Sequence, residues 1–93
     1  LVVGTLRMVL FVQDAHSLKD KRRVLKGLKD RIHNKYHVSI AEVGRHDVWQ
    51  SAELGCACVG NDTAHVNSVL SNLVSFVESN HQVRLIDYEL EMI

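Results

Sequence analysis

Eight of the chain's eleven Lys and Arg residues lie between Ser17 and Lys35, in SLKDKRRVLKGLKDRIHNK, against only two carboxylates, Asp20 and Asp30. The whole chain is formally neutral, so its charge is polarised. At about 100° per residue, a helix through this stretch puts Lys19, Arg22, Arg23, Lys26 and Lys29 on one flank, with His33 continuing the line. Such a stripe can neutralise phosphates and release their counterions, the chemistry of electrostatic nucleic-acid contact. The plainer alternative is a solvated helix face, since Lys and Arg are what helices ordinarily show to water. Lys21 departs from the stripe because its phase puts it on the apolar face. There it either snorkels outward, pairs with a nearby carboxylate, or is a buried functional lysine.

Other reactive side chains form no constellation. The histidines at 16, 33, 37, 46, 65 and 81 are scattered, and His33-x3-His37 spans an expected helix end, so no metal site is expected. Cys56 and Cys58 share a strand face beside Leu54 and read as small buried hydrophobes. Asp87, Glu89 and Glu91 line one face of a strand without a nucleophile or base to serve. Gly60-Asn61-Asp62 has too little glycine for a phosphate loop and reads as a capped turn. Trp49, between Asp47 and Gln50, is a large amphipathic ring near a hairpin tip, suited to a hydrophobic clamp, a dimer contact or a recognition surface. No catalytic residue and no cofactor is expected, and an enzyme ranks below a binding protein.

These residues need a scaffold, and the pattern supplies one. Residues 2–13 form a β-rich run, then Ser17 three residues ahead of Asp20 makes a capping box for a helix over 17–35. Leu18, Leu25, Leu28 and Ile32 share its buried face, with Val24 on the edge. Residues 36–43 and 48–60 read as a hairpin around a turn at 44–47. Asp62 and its neighbours cap a second helix with Val66, Val69, Leu70, Leu73 and Val77 on one face, running to about Asn80. Residues 82–93 alternate as a last strand. The order βαββαβ predicts a ferredoxin-like α+β sandwich, a four-stranded antiparallel sheet with both helices on one face.

Alternation assigns the sheet faces. Leu6, Met8, Leu10, Val38, Ile40, Leu54, Cys56, Cys58, Ile86, Tyr88 and Leu90 should point at the helices. Val3, Thr5, Arg7, Val9, Phe11, Ala41, Val43, Ser51, Glu53, Gly55, Ala57 and Val59 should form the open face, which is half apolar. Such a face invites a covering partner, most simply a second copy, with Val9, Phe11, Trp49, Ala57 and Val59 as interface candidates. An RNA-recognition-motif reading fails, because LGCACVG lacks stacking aromatics and the first strand offers only Phe11.

At 93 residues the chain fits one domain spanning 1–93. Hydrophobic content of 46% and charged content of 24% are those of a globular protein, with no run long enough to span a membrane and no membrane partner expected. Arg7 inside LVVGTLRMVLFV, without a basic flank before it, favours a strand over a signal peptide. Two cysteines spaced Cys-x-Cys on one strand cannot make an unstrained disulfide, which fits a cytoplasmic setting.

SLKDKRRVLKGLKDRIHNKYHVSIAEV followed by DVWQSAELGCACVGND and a V-x-x-V helix resembles the YlxP-like family of small bacterial proteins, over essentially the whole chain. Its most specific parts are Ser17-Leu18-Lys19-Asp20-Lys21-Arg22 and Asp47-Val48-Trp49-Gln50. The resemblance implies the same ferredoxin-like fold and a bacterial cytosolic setting. It also invites an RNA- or ribosome-associated role, because genes of this family often neighbour those of translation and transcription factors. Two expectations follow: a non-enzymatic accessory protein that binds RNA or a ribonucleoprotein through the basic helix, or a homodimeric protein- or small-ligand-binding module using the open sheet face.

Overall fold

A computed structural model describes residues 1–93. Six elements run in the order β1 (Val2–Val12), α1 (Leu18–Tyr36), β2 (Ser39–Gly44), β3 (Ser51–Gly60), α2 (Thr63–Glu78) and β4 (Val83–Met92). The strands pair antiparallel in the order β2-β3-β1-β4, and both helices cover one face. This is the ferredoxin-like α+β fold that the element order predicts.

Local chemistry starts each helix. Ser17 Oγ accepts from the Asp20 N–H at 3.1 Å, which satisfies one of the first-turn donors that have no partner within the helix. In the reciprocal bond Asp20 Oδ2 accepts from the N–H of His16 at 3.1 Å, one residue before the cap itself. Asp62 Oδ1 caps α2 through the Ala64 N–H. Helix α1 closes on His37, which takes the left-handed conformation (φ 51°).

Leu25, Leu28 and Ile32 of α1 and Val66, Leu70, Leu73, Val74 and Val77 of α2 are buried on Leu6, Met8, Leu10, Leu54, Cys56 and Cys58 of the two central strands. Burial of each such aliphatic side chain contributes about 1.5–3 kcal/mol. Helix α2 lies close over the start of β1: a Cβ at Gly4 would come within 2.6 Å of Val66. No helix is long and apolar enough to cross a membrane.

Two irregularities correct the expected faces. The β1–β4 register shifts between Val9 and Leu10, pairing Val9 with Asp87 but Leu10 with Leu85. Ile86 is the extra residue of this bulge and is 53% exposed, so it does not join the core. The shift reverses parity, so Leu85 and Val83 face the helices instead. Tyr88 keeps the face of its partner Met8 but lies half-exposed on an edge strand. The hairpin loop is also longer than the expected turn. Strand β3 begins at Ser51, which leaves Val48, Trp49 and Gln50 in the loop.

Candidate functional site

The first turn of α1 faces the β2–β3 loop, and Lys21 joins them. Its Nζ donates to the carbonyl oxygens of Arg45, His46 and Ser51 at 2.9, 3.3 and 3.2 Å. Glu42 Oε2 lies 2.9 Å from the same Nζ as its ion-pair partner and is buried with no other partner, so four oxygens surround an ammonium with three protons. Lys21 is 1% exposed, so its apolar-face phase is real, and a carboxylate plus three carbonyls compensate its burial. Glu42 reaches it because Glu42 pairs with Leu54 on the helix side of the sheet.

The loop is held at further points. Arg45 O also accepts from the Val48 N–H at 3.1 Å, and Gln50 O accepts from the Val12 N–H at 2.8 Å. Arg45 has φ 58°, and its guanidinium donates to Ser51 Oγ at 3.2 Å. On this tethered backbone Val48 and Trp49 are 45% and 43% exposed. The indole meets the His16 ring edge-on, with centroids 6.4 Å apart and planes at 66°. Sequence reasoning singled out Trp49 but not His16; the two meet only because the loop folds over the end of β1.

The stripe itself is on the surface. Lys19, Arg22, Arg23 and Lys26 are exposed and Lys29 is half-buried. Arg23 pairs with Asp20 at 3.4 Å and Lys26 with Asp30 at 3.0 Å. Such solvent-exposed pairs are worth about 1 kcal/mol or less and are easily exchanged for another anion. Lys35 sits apart, with Nζ 4.8 Å from the Phe76 ring centroid.

The opposite layer has the other polarity. Cross-strand pairing puts Arg84, Asp87, Glu89 and Glu91 of β4 on the open face beside Phe11, Val9, Arg7 and Thr5. Arg7 bridges to Glu53 at 3.6 Å, and Arg84 lies 5.6 Å above the Phe11 ring. Four carboxylates thus face two guanidiniums. Of the interface candidates, Val9 is already buried at 9% exposure, Phe11 and Ala57 are half-buried, and Val59 is 65% exposed. Trp49 lies in the β2–β3 loop, outside the paired strands. A trough lies on the open face, floored by Thr5, Ala41, Gly55 and Ala57 and edged by Val43 and Glu89.

No group of three His, Cys, Asp or Glu side chains is placed to hold a metal ion. His33 Nδ1 lies 3.2 Å from Val38 O, so in its Nδ1–H tautomer the ring seals the end of α1. Cys56 and Cys58 are free and buried. Desolvation pushes the Cys56 thiol up to about 12, which removes thiolate chemistry at neutral pH.

A family model described as "Protein of unknown function (DUF503)" matches residues 3–90. The chain is also 36% identical over 78 residues to "Uncharacterized protein YlxP" of Bacillus subtilis (strain 168), covering 84% of this chain and 85% of that relative.

Proposed function

The chain belongs to the DUF503 family, and for this member we propose a non-enzymatic accessory role in which α1 binds RNA or a ribonucleoprotein, mainly by electrostatics. The carrying observation is the separation of charge between layers. Lys19, Arg22, Arg23, Lys26 and Lys29 are gathered on α1, while Asp87, Glu89 and Glu91 lie on the far side of the sheet. A polyanion is drawn to one layer and repelled by the other. The carboxylates beside Arg23 and Lys26 are exposed pairs that phosphates can replace. Two free thiols without a disulfide support a reducing, cytoplasmic setting.

Titration of a structured ribosomal RNA fragment at about 50 mM and about 200 mM salt tests this reading. Five phosphate contacts should weaken binding by more than a hundredfold across that range. Reversing Arg22, Arg23 and Lys26 to Glu should abolish binding at the lower salt. Absence of binding at low salt, or indifference to the reversal, removes the proposal.

A second reading uses the open sheet face as a homodimer or small-ligand surface. Val43, which is 52% exposed at the edge of the trough, and Val59, which is 65% exposed further along β3, favour it. It predicts a dimer by light scattering that Ala57→Asp dissociates. A monomer with the same scattering mass before and after the substitution would leave only the ligand form of this reading.

A further inference from the structure

We propose that Trp49 is a stacking platform for one unpaired base of the RNA whose backbone lies along α1; this rests on the electrostatic reading above. Three observations converge on the ring. First, its loop is built to be rigid: Lys21 takes three backbone carbonyls, Arg45 O closes a turn on Val48, and Gln50 is tied to β1. A loop held this firmly has no need of solvent-exposed Val48 and Trp49, and yet it presents both. Second, His16 braces one side of the indole, which fixes the ring's orientation and lowers the entropy lost when a flat ligand docks on it. Third, His16 immediately precedes the helix cap, and its N–H is held by Asp20, the same carboxylate that pairs with Arg23. The cationic stripe begins at Lys19, three residues beyond His16 in the chain. A flat apolar ring beside a row of cations is the combination that binds a base and its neighbouring phosphates together.

This placement differs from stacking across the open sheet, where acidic β4 would repel phosphates. It also sorts RNA by form. A duplex offers α1 its phosphates but no free base face, whereas a single strand or a bulge offers both.

Trp49 is the chain's only tryptophan, so its fluorescence reports the ring directly. Intact protein at low salt is titrated with a short oligoadenylate and, separately, with the oligoadenylate–oligouridylate duplex. Quenching by the single strand, and weak or no quenching by a duplex that still binds by anisotropy, is the expected result. Trp49→Ala should weaken single-strand binding between about fivefold and about a hundredfold and leave duplex binding unchanged. Trp49→Tyr, which keeps a stacking ring, should restore most of the affinity and guards against misfolding of the alanine variant. Equal binding of both forms without quenching overturns the stacking role and leaves the electrostatic reading in place. Absence of binding by either form overturns both. Emission that shifts with protein concentration in the absence of RNA means that a second copy covers the ring, and also overturns it.

Discussion

Lys21 Nζ lies 2.9 Å from the carbonyl oxygen of Arg45, the same oxygen that accepts the Val48 N–H. One acceptor therefore closes the hairpin turn and anchors it to α1. The buried ammonium organises the loop that carries Trp49, and it does so from the helix that carries the basic stripe.

Lys21→Met removes the charge but keeps much of the stem. Glu42 and three carbonyls then lose their partner in a site that water barely reaches. Loss of one member of a buried pair costs about 3–5 kcal/mol, and Glu42, being 16% exposed, places this case near the lower end. Urea denaturation should show that loss, and Lys21→Met with Glu42→Leu should recover part of it. Equal stability of wild type and Lys21→Met would show that the ammonium contributes nothing net.

Two glycines should respond in opposite directions to alanine. At Gly4 a new Cβ would sit 2.6 Å from Val66 Cγ1 and 2.8 Å from Leu70 Cδ1, so α2 must shift and stability should drop by about 1–3 kcal/mol. At Gly27, inside α1, the nearest atom is Arg31 Nη1 at 3.6 Å, an ordinary contact. Gly27→Ala should stabilise by about 0.5–1 kcal/mol through helix propensity. Thermal melts of the two variants check both signs.

His37 ends α1 in the left-handed region, where a Cβ costs about 1–2 kcal/mol. Its side chain is exposed. His37→Gly relieves that strain against about 0.5–1 kcal/mol of added chain entropy, for a net gain of about 0.5–1 kcal/mol in unfolding free energy by urea denaturation. A loss of stability would mean that the imidazole contributes a contact worth more than the strain.

Burial raises the Cys56 thiol from 9.0 to about 12. The unfolded chain releases this proton first, so between pH 9 and 12 it binds fewer protons than the native state. Stability from this group is whole below pH 9 and declines as pH rises towards 12. The urea midpoint of Cys56→Ala should therefore fall less steeply than that of wild type over this window. Parallel slopes would remove the effect. Iodoacetamide at mildly alkaline pH should label the thiol only after denaturation.

Much of this molecule is decided locally and is legible in the sequence. The Ser17 and Asp62 caps, the 3.6-residue spacing of Leu25, Leu28 and Ile32, and the alternation of β1 and β3 all depend on neighbours in the chain. They suffice for the βαββαβ order and for the cationic flank of α1. Three decisions belong to the tertiary structure. The bulge at Ile86 reverses strand parity without any glycine to announce it, because it is set by how β4 registers against β1. Glu42 and Lys21 are twenty-one positions apart and meet only when β2 comes to lie beneath α1. Trp49 gains its His16 brace only when the loop folds over the end of β1. A single strand carries its own period but not its partner's register, and a buried charge shows its phase but not the group that compensates it. Only packing supplies either.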